Sequence, residues 1–370
     1  MKIAFLHFWT LRLPRGVETL TLSLANALAQ QGHHVSILCA KRTREPLVAP
    51  LPNVRVQEFP TFRYFETTTI VPFYAQALAR AKFDVVVTYF ADFGEGRALQ
   101  LVAPFAKFQH VLYLTFPYES APHRYHAYKK FAWDKCADIL LADAAYTASE
   151  GEKFFQRPVV VQPSGTDPER FKPGAAKREA VRTRLGFHQD NVVLLNVSAL
   201  ERRKGTWRVV EALPKIRAHC PQVRYLVMGE GPERASLERR ATELGVRDAV
   251  VFGGTTSDLT GYYNAADVFV MLSDEEAGSL ALLEAMASGL PAVVSNTGGF
   301  GETVDTSCGA RVTLAIESEI VQTLLCLVKD AGERVSRGRK ARERVMDRFA
   351  WPRLSEGFIR IIMENQIYGV

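Results

Sequence analysis

Two series of short, unbroken apolar runs, each run separated from the next by a helix-like stretch, constrain this chain more than any other feature. In the first series "KIAFLHF", "HHVSILCA", "FDVVVTYF", "HVLYLTF", "ADILLAD" and "PVVVQPS" read as buried strands, and "VETLTLSLANALAQQG" reads as an amphipathic helix stopped by Gly32. Continuous Val/Ile/Leu runs alternating with helices imply a parallel sheet covered on both faces. "RFKPGAAK" then breaks the pattern with Pro and Gly, and the charged helix "AKREAVRTRLG" follows. A second series begins: "NVVLLNVSAL", the helix "GTWRVVEALPKIRAHC", then "VRYLVMGEG", "AVVFGG", "DVFVMLS" and "PAVVSN". The expectation is an α/β chain of two doubly wound domains, residues 1–172 and 173–349. The amphipathic segment 350–370 is expected to pack back on the first domain. Two such sheets would face each other across a cleft at the carboxyl ends of their strands, where open α/β sheets bind ligands.

The length of 370 residues is too great for one ordinary core and comfortable for two such domains. A net charge of +6 is a mild excess, compatible with anionic substrates or an anionic membrane surface. It is not concentrated enough for nucleic acid, and no nucleic-acid motif is present. The five cysteines are scattered without CxxC spacing, so neither a disulfide framework nor a zinc site is expected, and a reducing, cytoplasmic compartment is. "MKIAFLHFW" reads as a first strand, not a signal peptide. No apolar run approaches the ~18 residues of a membrane span, so any membrane contact is expected to be peripheral, at the inner face.

The chemistry concentrates in "SDEEAGSLALLEAMASGLP", Ser273 to Pro291. "ADVFVMLS" before it is a strand, so Ser273–Gly278 is the loop at its carboxyl end. Ser279 is a good N-cap, and the helix it starts would leave the amides of Ser279, Leu280 and Ala281 unpaired. Such a helix end suits a phosphate, and the small residues Ala277, Gly278 and Ser279 let a ligand come close to the backbone. Glu276 lies on the loop and Glu284 about a turn into the helix, with seven residues between them. Carboxylates do not bind a phosphate, but they accept hydrogen bonds well from vicinal hydroxyls. A phosphate flanked by hydroxyl-bearing rings describes a nucleoside diphosphate sugar. Taken alone, the same residues also suit a helix-dipole acid and a solvated loop glutamate.

This stretch, with "GLPAVVSNTGG" after it, resembles the signature of family-four retaining glycosyltransferases of the GT-B fold, the group 1 glycosyl transferases. The resemblance covers nearly the whole chain in order: "LPRGVETLTLSLANALAQQGHHVSIL", "PSGTDPERFKP", "VSALERRKGTWRVVEAL", "LVMGEGPERASL", "VVFGG" and "YYNAADVFVMLS". It implies two Rossmann-like domains, the first for the acceptor and the second for the nucleotide sugar. It also implies transfer with retention and no metal or other cofactor. Glu276 matches the acid that holds donor-sugar hydroxyls near the anomeric carbon, and Glu284 the acid on the nucleotide ribose. Lys204 matches the lysine on the donor diphosphate, where it would neutralise charge developing on the leaving group. Gly278, Ser279 and Leu280 are expected to line the diphosphate site. Gly16 matches the second glycine of an opening loop that passes close to substrate.

The sequence departs from that pattern at several positions. The family's arginine five residues before the lysine is Ala199 here, and Arg202 or Arg203 is the nearest replacement. The first glycine of the opening pair is Arg15. The Phe-Gly after the first acid is Gly278-Ser279. The family's first-domain histidine falls on Phe116, with Tyr118, Glu119 and His123 as nearby polar substitutes for acceptor binding.

"GEGPER" (Gly229–Arg234) lacks the third glycine of a dinucleotide fingerprint and reads as a tight turn. No Asp pair or His/Cys set with metal spacing is present. "FPTFRYFETTT" and "KKFAWDK" interleave aromatic and basic residues, suited to partial burial, an anionic membrane or an acceptor sugar. The expected activity is transfer of a hexosyl group from a nucleotide diphosphate sugar to a saccharide, lipid-linked or small-molecule acceptor. A nucleotide-sugar epimerase or hydrolase on the same fold, and a non-catalytic binding partner, are the alternatives. Oligomeric state, base, sugar and acceptor stay open.

Overall fold

A computed structural model describes residues 1–11, 16–41, 48–61, 66–89, 93–118 and 121–366. The chain divides into two compact units, Met1–Gly165 with Trp351–Val370, and Thr166–Ala350.

The first unit is built on a seven-stranded sheet: β1 (Lys2–Leu6), β2 (His34–Ala40), β3 (Arg55–Phe59), β4 (Val85–Thr88), β5 (Gln109–Leu114), β6 (Ile139–Ala142) and β7 (Val160–Val161). Its order is β3-β2-β1-β4-β5-β6-β7, with every pair parallel. The central strands are the apolar runs, buried along their length except at Lys2, which starts β1. "RVQEF" is a strand that the sequence pattern does not announce. It sits at the sheet edge and is half-exposed, so it needs no continuous apolar run. "PVVVQPS" contributes only the two residues of β7 at the opposite edge.

The second unit holds β8 (Val192–Val197), β9 (Val223–Met228), β10 (Val250–Gly254), β11 (Val268–Met271), β12 (Ala292–Ser295) and β13 (Gly309–Val312), in the order β10-β9-β8-β11-β12-β13 and again all parallel. Successive residues of β8 serve opposite faces of the sheet. Val192 and Leu194 join a core with Val209, Leu213 and Ile216, whereas Val193 and Leu195 join one with Phe269, Leu282 and Met286. Strand order reverses between β8 and β11, which pair directly through Val268↔Leu194 and Phe269↔Leu195. The loops after these two strands are therefore neighbours at the carboxyl edge, the place where open sheets of this kind bind ligands.

The boundary lies between Gly165 and Thr166, ahead of the expected 172/173. Pro173 and Gly174 look like a linker, but the segment before them is fixed inside the second unit. The Thr166 amide donates to the carbonyl of Phe349 at 2.9 Å, and Phe171 is buried in the second core. Arg342 donates to the carbonyls of Pro168 (3.0 Å) and Phe171 (3.1 Å). The closing helix begins at Trp351, one residue after the expected 350, and belongs to the first unit. There Gln31 donates to the Pro352 carbonyl at 3.0 Å and to Ser355 Oγ at 2.8 Å, and Phe358 and Ile362 are fully buried. Among the described residues no helix is long and apolar enough to cross a membrane.

Candidate functional site

The site grows from the loop after β8. Arg202–Lys204 forms a single 3-10 turn, ended by Gly205 in the left-handed region at φ +69°. A Cβ at Gly205 would stand 1.8 Å from the Leu272 carbonyl oxygen, so only glycine lets this loop meet the end of β11 so closely. The two loops are then tied together. The Asp274 amide donates to the Arg203 carbonyl at 2.8 Å, and Arg208 donates to the Leu272 carbonyl at 3.1 Å and to the Asp274 carboxylate at 2.7 Å.

That junction brings Lys204 Nζ onto Glu276 Oε1 as an ion pair, their side chains only 16% and 11% exposed. Ser273 Oγ donates to the same Glu276 oxygen at 3.0 Å. The loop after β12 fixes the Glu276 backbone. The Gly299 amide donates to the Glu276 carbonyl at 2.8 Å, and Gly298, at φ +55°, passes so near that a Cβ would lie 2.1 Å from that oxygen. Ser295 Oγ and Thr297 Oγ1 both donate to the Ser273 carbonyl, at 2.6 and 3.2 Å. Glu276 is thus held by three loops before any ligand is considered.

The helix Leu280–Ala287 follows at once. Ser279 is its N-cap, extended at φ −116°, ψ 108°, with Oγ accepting from the Leu282 amide at 3.3 Å. Among the described residues no group accepts from the amides of Ser279, Leu280 or Ala281. Leu282, Leu283, Ala285 and Met286 bury the inner face, which leaves Glu284 half-buried on the flank. Tyr263, from the helix Thr260–Ala265, donates its hydroxyl to Glu284 Oε2 at 2.7 Å. Burial pushes the Glu284 carboxyl up to about 7, opposed by the Tyr263 hydrogen bond and by the Arg170 charge.

The remaining candidates are placed as follows. Arg202 lies over the Trp207 ring, 3.9 Å from its centroid, and within 3.8 Å of Glu233. Arg203 pairs with Glu201 at 2.9 Å. Ala199 is exposed. Gly16 opens the helix Gly16–Gln30, exposed, and among the described residues nothing approaches it closely enough to require glycine there. Arg15 lies outside the described residues. Tyr118 is part of an aromatic cluster with Tyr125 and Phe154, and its hydroxyl meets His126 Nε2 at 3.1 Å. His123 is exposed, Phe116 half-buried under the Arg124 guanidinium, and Glu119 outside the described residues. Gly229 and Gly231 of the tight turn let it pack on the carbonyls of Ser198 and Leu200, which backs the loop carrying Lys204.

Sequence reasoning missed Tyr263, a tertiary partner that no local pattern announces. It also missed Arg208, although its spacing four residues after Lys204 places it on the helix that continues from the same turn. Among the described residues no cluster of three or more His, Cys, Asp and Glu side chains is arranged to hold a metal.

Comparison with known proteins agrees with this geometry. A family model described as Glycosyl transferases group 1 matches residues 177–344, and one described as Glycosyltransferase Family 4 matches residues 14–170. The chain belongs to glycosyltransferase family 4. Among curated relatives, it is 31% identical over 227 residues to a GDP-mannose-dependent alpha-(1-6)-phosphatidylinositol monomannoside mannosyltransferase of Mycolicibacterium smegmatis, covering 58% of this chain and 59% of the relative. It is 27% identical over 198 residues to a 2-deoxystreptamine glucosyltransferase of Streptomyces kanamyceticus, covering 52% and 51%. The chain thus spans less than two thirds of the length of these relatives. Its fold is that of the GT-B enzymes. Sucrose-phosphate synthase from Thermosynechococcus elongatus superposes with a TM-score of 0.80 at 22% identity, covering 100% of both chains. Anabaena HepE in complex with UDP and glucose superposes with a TM-score of 0.81 at 20% identity, covering 98% and 99%.

Proposed function

We propose that this chain is a retaining glycosyltransferase, moving a hexosyl group from a nucleotide diphosphate sugar to a hydroxyl of a saccharide, lipid-linked or small-molecule acceptor. The observation that carries the reading is the Lys204–Glu276 pair, held where the second sheet reverses its order and followed directly by the capped helix at Ser279. Lys204 and the amides of Leu280 and Ala281 take up the charge that grows on the leaving diphosphate. Gly278 and Ser279 let that group approach the backbone. Glu276 holds hydroxyls of the transferred sugar near its anomeric carbon, and Glu284 those of the nucleotide ribose. No metal is assigned a step, since Lys204 and the helix end supply the positive charge.

The acceptor oxygen bonds to the anomeric carbon as the bond to the diphosphate breaks, and the acceptor proton passes to the departing diphosphate. Attack on the face that the diphosphate leaves retains the configuration. This route does without a first-domain histidine, and so accommodates Phe116. The first unit takes the acceptor, with Tyr118 and His123 its named polar candidates. Since several similar curated proteins are named for GDP-mannose and phosphatidylinositol mannosides, GDP-mannose and a lipid-linked acceptor are the first pair to try. The expected setting is the cytoplasm, with peripheral contact at the inner face of the membrane when the acceptor is a lipid.

The test is a melting-temperature screen of nucleotide sugars followed by a transfer assay with the stabilising donor, because a ligand that binds the native state raises its apparent stability. Stabilisation by a nucleotide sugar and a Glu276→Ala variant without turnover are expected. Wild-type turnover in Glu276→Ala would remove its assigned role. Free sugar or an epimer as the main product would replace transfer by a reaction of the donor alone.

A further inference from the structure

We propose that Tyr263 is a positioning residue for donor binding, fixing one oxygen of the Glu284 carboxylate so that the other is presented, ionised, to the ribose hydroxyls. This rests on the reading of Glu284 as the ribose-binding acid. Tyr263 is fully buried, its ring edge-on to Phe171 at 5.8 Å and tilted against Phe269 at 6.5 Å. Its helix is pinned in turn. Asn264 donates to the carbonyls of Thr260 (2.8 Å) and Lys172 (3.2 Å), and its Oδ1 accepts from the Gly174 amide at 2.5 Å. The hydroxyl is therefore a fixed donor, 2.7 Å from Glu284 Oε2. Among the described residues Oε1 accepts no hydrogen bond, and an ionised carboxylate oxygen takes two donors, as a vicinal diol offers.

The hydrogen bond acts on charge as well as on direction. Burial favours the protonated acid, whereas a hydrogen bond donated to the carboxylate favours the ionised form. The groups that act on Glu284 are Tyr263 from the helix Thr260–Ala265 and Arg170 from the segment before the helix Ala175–Arg184. Arg342, on the helix Ala331–Arg348 packed against that of Glu284, is engaged with the Ala287 carbonyl at the far end. The neighbouring β11 and β12 present only buried apolar residues and Ser295. The ionisation of Tyr263 itself is pushed well above 10 by burial and then by Glu284, so it remains a donor.

The experiment is calorimetric titration of GDP-mannose and of UDP-glucose into the wild-type chain, Tyr263→Phe, Phe171→Leu and Glu284→Gln, from pH 6 to 8.5. In the wild type, affinity rises with pH through a midpoint near the Glu284 value. In Tyr263→Phe the midpoint moves up by about one unit, with ~5-fold weaker binding at pH 7 and recovery at the alkaline end. Phe171→Leu, which loosens the ring but keeps the hydroxyl, gives a smaller shift in the same direction. Glu284→Gln binds weakly at every pH. An unmoved midpoint in whichever of the Tyr263 and Phe171 variants folds, or a loss of equal size at all pH values, overturns the proposal. So does wild-type pH dependence in Glu284→Gln. A wild-type chain that binds neither nucleotide sugar at any pH overturns the ribose reading beneath it, a result distinct from the others.

Discussion

Lys204 and Glu276 form an ion pair across the carboxyl ends of β8 and β11, 72 residues apart in sequence. Both side chains are mostly buried, so the pair is a geometric lock more than a source of stability. Its attraction is largely offset by the desolvation of the two charges. Breaking it from one side is a different matter. Lys204→Met leaves a buried carboxylate with Ser273 as its one side-chain donor among the described residues, and should cost about 3 kcal/mol, read as a lower urea midpoint. Lys204→Met with Glu276→Gln should recover most of that loss. Neither variant should retain more than about one hundredth of the transfer rate, because the charge meeting the leaving group is gone in both.

The loop junction depends on Gly205. Gly205→Ala places a methyl 1.8 Å from the Leu272 carbonyl oxygen on a backbone at φ +69°. The internal control is Gly186→Ala, at φ +70° with nothing within 4 Å. The control should lose only the left-handed backbone cost, about 1 kcal/mol. Gly205→Ala should lose clearly more in melting experiments, and should also raise KM for the donor, because the loop that must move carries Lys204.

The division between what the sequence reveals and what it hides follows the same junction. Central strands such as "VVLLNV" are legible because burial on both faces demands an unbroken apolar run. Edge strands "RVQEF" and "GARV" are not, since one side of each meets solvent and polar residues are tolerated. The Ser279 cap is legible because capping is local chemistry. The division into compact units falls before the expected 172/173 because Pro173 and Gly174 look like a linker locally, while Phe171 and the carbonyls bound by Arg342 are fixed by distant residues. Lys204, Glu276 and Glu284 can each be singled out as candidates by type and place along the chain. That Lys204 meets Glu276, and Tyr263 meets Glu284, depends on how β8, β11 and two helices pack, which no spacing encodes.

Two buried histidines of the first unit should make it sensitive to acid. His110 Nδ1 faces the Cys136 carbonyl at 3.0 Å, which can only accept, so Nδ1 carries the proton and Nε2 accepts from the Thr88 hydroxyl at 2.9 Å. Burial pushes His110 down to about 4, and burial with the Arg124 charge pushes His7 down to about 3. Below the ordinary value of 6.5 the unfolded chain binds protons that the folded chain refuses, so stability falls as pH drops. Each histidine should contribute a slope of about 1.4 kcal/mol per pH unit between 6.5 and its folded value. Replacing either by Gln should flatten the urea midpoint against pH over that window, measured by fluorescence.

Glu284 should show the opposite sign. Its folded value is raised from 4.5 to about 7, so between these two the folded chain holds a proton that the unfolded chain has released. The stability linked to that proton is complete below 4.5 and is lost as pH rises through 7. At pH 8 the native chain therefore carries a half-buried charge that Tyr263 and Arg170 only partly compensate. Glu284→Gln keeps the shape, and its carbonyl still accepts from Tyr263. The variant should be more stable than the wild type at pH 8 by about 3 kcal/mol, and indistinguishable from it at pH 4.5. In parallel it should bind nucleotide sugars less well, the trade expected where a group is kept for binding against its own folding preference. Melting curves of both chains across that pH range decide it: parallel curves, or a variant destabilised at pH 8, would mean that the carboxylate is no burden to the fold.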